Sequence, residues 1–146
     1  MKVRAARQTL LLLAVAFLPA AGQAIYLRDK VSWQSSVPAS ESVSVSQARQ
    51  WGSDVLWVDA RPDEEFARDH VPGAMSLNED RWDELFPEFI QKWSEAPGQK
   101  VVVYCSTQSC NLAEEVARRL RGSTQPPMQN VFVLKGGWET WLKTRQ

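Results

Sequence analysis

The chain has 146 residues, with 17 basic and 17 acidic side chains, and so carries no net charge at neutral pH. That balance excludes a protein built for non-specific nucleic-acid binding, which needs a basic face to displace counterions. A content of 44% hydrophobic and 23% charged residues excludes a disordered chain, and two Cys with one His fall short of the four Cys or His ligands of a closed structural zinc site.

The first residues read as an export signal. Lys2, Arg4 and Arg7 come without an acid, Leu10 to Leu18 is unbroken apolar sequence, and Pro19 to Ala24 follows with small residues. Gly22 and Ala24 stand where a signal peptidase inspects small side chains. Residues 1–24 are therefore expected to be a signal peptide. The competing reading is an uncleaved anchor over Thr9 to Leu27, 19 residues and just long enough to span. Both readings send the remainder out of the cytoplasm, to a periplasmic or other extracytoplasmic location, with the basic end left inside. Membrane contact would come only through this segment. Without residues 1–24 the chain holds 14 basic and 17 acidic groups, a net charge of −3. Residues 25–41, with Tyr26, Trp33, Pro38 and several Ser, show no apolar period. They read as a linker or arm, with Trp33 a candidate for a groove.

From Ser42 to Gln146 the pattern is that of one α/β domain. Val43 and Val45 alternate with Ser as a short edge strand, and Ser46 is a candidate N-cap for a helix through Trp51. Val55 to Val58 is a nearly continuous apolar run, as in a strand buried on both faces. Pro62 to Arg68 can form one or two helical turns, and Pro72-Gly73 marks a turn. Trp82, Leu85, Phe86, Phe89, Ile90 and Trp93 recur at helical steps, with Pro87 predicting two shorter pieces. Val101 to Tyr104 is a second buried strand. Leu112, Ala113, Val116, Ala117 and Leu120 form a helical stripe, and Arg118, Arg119 and Arg121 read as a solvated face near its negative end. Val131 to Leu134 is the last strand, released by Gly136 and Gly137 into a helix carrying Trp138 and Trp141. Strands alternating with helices imply a parallel sheet covered on both faces.

The chemistry falls at a strand end. Val101-Val-Val-Tyr-Cys105 runs into Ser106-Thr107-Gln108-Ser109-Cys110 and then a helix. Ligand sites of open α/β sheets lie at that carboxyl edge. Backbone N–H groups of such a loop, with the helix N-terminus behind them, favour negative charge and would stabilise a thiolate at Cys105. The plain alternative is that Cys105 is a small buried hydrophobe.

The strand, Cys, loop and helix resemble the rhodanese domain. So do Val58-Asp59-Ala60-Arg61, Glu65-Phe66 and Asp69-His70-Val71-Pro72-Gly73-Ala74 upstream, and Asn130 to Leu134 with Gly136-Gly137-Trp138 and Trp141 downstream. The resemblance spans about residues 42–146, with its landmarks in order. It implies a rhodanese-like five-stranded parallel sheet with helices on both faces, and a persulfide on Cys105. It implies a small sulfur-containing donor and a thiol or cyanide acceptor, with no cofactor and no metal. Asp59 and Arg61 are then supporting residues that brace the loop. Residues 106–110 are the anion cradle, and His70 is a structural hydrogen-bonding residue.

One departure matters. Many rhodaneses carry Arg five residues after the catalytic Cys, and here that slot is Cys110, in a loop with no charge. A thiosulfate dianion would lose a charge-assisted contact of about 1.5–3 kcal/mol. The same change opens a second reading. Cys105 and Cys110 are the only thiols of an exported chain, so Cys110 is a candidate resolving thiol in a redox couple served by a redox protein partner. Its plain role would be packing at the helix start. A phosphatase-like loop would need a cation at position 111, which is Asn. A non-catalytic binding module, using some of the Trp residues as a patch, is the third reading.

Overall fold

The structure, a computed structural model, describes residues 37–107, 111–124 and 127–145. The expected signal segment, Tyr26, Trp33, and Gln108, Ser109 and Cys110 of the loop lie outside the described residues. Among the described residues no helix is long and apolar enough to cross a membrane.

The chain forms β1 (Ser42–Val43), α1 (Val45–Gln50), β2 (Val55–Asp59), α2 (Asp63–Arg68) and β3 (Met75–Ser76). There follow α3 (Trp82–Ser94), β4 (Lys100–Tyr104), α4 (Leu112–Gly122), β5 (Val131–Leu134) and α5 (Gly137–Lys143). The sheet has five strands in the order β1-β5-β4-β2-β3, and every pair is parallel. β2 leads outward to β3 while β4 leads the other way to β5. The chain therefore reverses direction across the sheet between β2 and β4, the crevice where α/β folds place their ligands.

Side-chain alternation sorts two cores. Leu56, Val58, Val101, Val103, Val131 and Val133 face α3 and α4, where Phe89, Val116 and Leu120 pack on them. Val102, Tyr104 and Leu134 face the other side, with Val45 and Ala48 of α1 and Trp138 and Trp141 of α5. Cys105 follows Val101 and Val103 at period two and joins the α3/α4 side.

Several expectations are corrected. Val45 begins a helix instead of extending the strand, and its cap is Ser44, not Ser46. The Ser44 hydroxyl accepts from the Gln47 N–H while the Gln47 side chain returns to the Ser44 N–H, a reciprocal pair that Ser46 has no Gln to complete. Pro87 does not divide α3. It is exposed, as is Asp83 one turn earlier, so the missing bond falls on the solvent side where water can serve the Asp83 carbonyl. Buried Trp82 and Phe89 hold both halves on the core. Leu112, expected in the α4 stripe, is 41% exposed at the helix start.

The α4 arginines are not simply solvated. Arg118 pairs with Glu115, but Arg119 reaches Glu79 and covers the Trp82 ring, and Arg121 bonds Glu41 and the Val131 carbonyl. The latter two tie α4 to its neighbours. Of the Trp residues, Trp82, Trp138 and Trp141 are buried and Trp51, Trp57 and Trp93 half-buried, so the described ones build core and not an open patch. Val37 also packs against the α3/α4 core.

Candidate active site

β2 and β4 end side by side, with Asp59 in register with Tyr104. Two chain departures thus meet at one edge: Asp59-Ala60-Arg61 and Tyr104-Cys105-Ser106.

The Asp59 carboxylate is fully buried and Arg61 nearly so. Arg61 donates from Nε at 2.9 and 3.1 Å and from Nη2 at 2.6 Å to that carboxylate, and its backbone N–H donates to Oδ1 at 2.9 Å. Nη2 also donates to the Asp69 carbonyl at 2.7 Å, and the guanidinium covers the Trp138 ring at 4.6 Å. Burial opposes the Arg61 charge, but the bonds and attraction from Asp59 outweigh it, so its pKa stands above the ordinary arginine value. Removing one partner of such a pair leaves a bare buried charge at a cost of about 3–5 kcal/mol.

Glu65 extends this pair to the loop. Its Oε2 lies 3.6 Å from Arg61 Nη1 and accepts from Ser106 Oγ at 2.9 Å. The chain Asp59, Arg61, Glu65, Ser106 therefore runs from β2 through α2 to the residue after Cys105. Tyr104 is buried below it, its hydroxyl accepting from the Val71 N–H at 3.1 Å. Burial, then the Asp59 charge, push its phenol well above the ordinary range.

Cys105 is 1% exposed. Its carbonyl accepts from Trp138 N–H at 2.7 Å, and the Ser106 carbonyl accepts from Glu139 N–H at 3.2 Å. The first N–H groups of α5 thus hold two loop carbonyls. A trans peptide sets its N–H opposite its C=O, so the N–H groups of Ser106 and Thr107 point away from α5. Cys105 Sγ sits 3.9 Å from the Thr107 carbonyl oxygen and is disulfide-bonded.

His70 stacks on Phe66 at 4.1 Å and its Nδ1 lies 2.9 Å from the Phe66 carbonyl oxygen, in a turn closed by Ala74 N–H on the Val71 carbonyl. Gly73 has φ +80° there, the left-handed geometry that a type II turn after Pro72 demands. Among the described residues no three Cys, His, Asp or Glu side chains cluster to hold a metal.

In the sequence Glu65 stands only as part of the Glu65-Phe66 landmark, and Gly137 only as a residue releasing the last strand into a helix. Glu65 stands four residues after Arg61 on a helix start, which hints at their pairing but not at Ser106.

A family model described as the Rhodanese-like domain matches residues 42–144. No curated protein sequence matches the chain significantly. Among solved structures, a rhodanese-related protein from Thermoplasma volcanium has a TM-score of 0.52 at 15% identity, covering 71% of this chain and 92% of its own. The human single-domain sulfurtransferase gives 0.50 at 19%, covering 73% and 98%. Thiosulfate sulfurtransferase from Pseudomonas aeruginosa gives 0.53 at 19%, covering 74% of this chain and 19% of its own. At these identities the likeness is one of fold.

Proposed function

We propose that this chain, which belongs to the rhodanese-like family, is an exported sulfurtransferase or persulfide carrier with Cys105 as its nucleophile. The observation that carries the reading is the hold of α5 on the Cys105 and Ser106 carbonyls, which turns the following N–H groups away from the helix. N–H groups so turned favour an anionic sulfur without a side-chain base. Residues 106–110 form the cradle in this reading, and Asp59 and Arg61 support it through Glu65.

The Cys105 thiolate attacks the outer sulfur of a sulfane donor. A new sulfur–sulfur bond forms, the donor's own breaks, and the electron pair leaves on sulfite or a thiolate. An acceptor thiolate or cyanide then takes the outer sulfur, and the bond electrons return to Cys105. The order of basic, apolar and small residues at the N-terminus supports export to an extracytoplasmic compartment, with or without a retained anchor.

The disulfide on Cys105 favours a second reading, a thiol-disulfide couple of Cys105 and Cys110. A disulfide sulfur has no thiolate to offer, so an external thiol must reduce it before Cys105 can act.

Intact-mass analysis with and without reductant tests both readings. Incubation of the reduced protein with a sulfane donor should add one sulfur to Cys105 and release thiocyanate on cyanide treatment. Cys105→Ser should abolish both signals. Absence of sulfur uptake from every donor would overturn the sulfur-carrying reading. Mild peroxide should remove two hydrogens from the reduced protein by closing the disulfide. Direct conversion of Cys105 to sulfinic acid, with Cys110 left a thiol, would overturn the redox couple. Failure of both would leave a binding module.

A further inference from the structure

We infer that Glu65 sets the charge preference of the Cys105 site. It turns the site against dianionic donors such as thiosulfate and toward sulfane sulfur in an uncharged organic polysulfide. This rests on the sulfur-carrying reading above.

The charges beneath the loop do not cancel. Asp59 and Glu65 share one guanidinium, and Asp59 takes most of it, with its closest contact at 2.6 Å against 3.6 Å for Glu65. The Asp59 carboxylate is fully buried, while the Glu65 side chain is 39% exposed. One negative charge therefore remains, carried on the member that meets solvent beside the loop. Arg61 is the one cation among the described residues that forms an ion pair with Glu65. The loop sequence from Ser106 to Cys110 supplies no other positive charge.

Glu65 also claims a donor. The Ser106 hydroxyl gives its proton to Glu65 Oε2 at 2.9 Å. That proton is then withheld from an incoming anion, although Ser106 is the first residue after the nucleophile. A dianion arriving at Cys105 thus meets a like charge and one hydroxyl already engaged. A donor with no charge near its transferred sulfur meets neither penalty.

The test reads the field at Cys105 without needing transfer activity. The reduced full chain is alkylated in parallel with iodoacetate, an anion, and iodoacetamide, which is neutral. In both reactions the thiolate displaces iodide, and modification at Cys105 is resolved from Cys110 by peptide mass. A shift in thiol pKa alters both rates equally, so their ratio isolates the reagent's charge. Glu65→Gln keeps an acceptor for Ser106 and removes the charge. The iodoacetate-to-iodoacetamide ratio should rise about two- to threefold at low ionic strength. The difference from the parent should close as salt shortens the Debye length. Thiosulfate-to-cyanide transfer should gain about fivefold in kcat/KM, because the donor carries twice the charge, while transfer from a neutral polysulfide stays level.

The parent alone offers a second measurement should the variant not fold: its ratio should rise with added salt by more than that of a small free thiol, whose thiolate charge by itself already repels iodoacetate. A parent ratio that responds to salt no more than the free thiol's, or a folded Glu65→Gln with an unchanged or lower ratio, would overturn the inference. If no donor is turned over yet the ratio responds, the field stands and the sulfur-carrying reading fails.

Discussion

Gly137 lies so close to Cys105 that a Cβ on it would fall 2.3 Å from the Cys105 carbonyl oxygen. Its φ of +55° is itself a conformation that side chains resist. The close approach allows Trp138 N–H to hold that carbonyl at 2.7 Å. The last helix is thus fitted to the candidate active-site strand by the absence of a side chain. Gly137→Ala should lower stability by about 2 kcal/mol or more, combining left-handed strain with a forced backbone shift. Gly52→Ala is the control, since Gly52 has φ +59° with nothing within 4 Å of a Cβ. It should show the conformational cost alone. Denaturant titration of both variants measures the difference, and equal losses would show that the approach to Cys105 carries no energy.

The contrast between these two glycines illustrates what a linear reading reaches. Gly137 stands in the sequence as a residue that releases a strand into a helix, and Gly52 only as the residue after a short helix. Only the fold shows that Gly137 abuts Cys105, 32 residues earlier. The strand delivering Cys105 was legible because Val101 to Tyr104 is apolar throughout, the mark of burial on both faces. α3 was legible as an amphipathic face, but its unity was not. Whether Pro87 breaks a helix depends on which side of the helix the lost bond faces, and that is decided by packing. β3 is two residues long and half-buried, too short to show a period. Glu65 pairs at four residues with Arg61, which a helical step suggests, but its bond to Ser106 crosses 41 positions.

Tyr104 makes the support of the site sensitive to alkali. Its phenol is raised above the ordinary value of 10.0, first by burial and then by the Asp59 charge. The sign follows from linkage. Below pH 10 both folded and unfolded states hold the proton and the stabilisation is complete. As pH rises past 10 the unfolded phenol ionises while the folded one does not, and stability falls. Urea midpoints should therefore decline above pH 10, and less steeply in Tyr104→Phe. At neutral pH that variant should be less stable by about 1–3 kcal/mol, since it strips the buried Val71 N–H of its acceptor. An absorbance titration of the native chain that ionises both tyrosines, Tyr26 and Tyr104, near pH 10 would contradict the raised value.

Cys110 occupies the loop position where related domains often place a cation, and its replacement tests whether charge limits the donor. Cys110→Arg removes any bond to Cys105 as well as adding charge, so its proper reference is Cys110→Ser under reducing conditions. Against that reference, Arg should raise thiosulfate-to-cyanide transfer by roughly tenfold, the scale of about 1.4 kcal/mol for one charge-assisted contact. The gain should appear mainly in KM if the cation only binds donor, and also in kcat if it steadies the departing sulfite. Adding Glu65→Gln should increase the rate again, but by less than the product of the two effects, because both substitutions act on the same local field. Transfer from an uncharged polysulfide should respond to neither. Equal thiosulfate rates in well-folded Arg and Ser variants would mean that the loop is not limited by charge, and that selection against thiosulfate lies in the shape of the site.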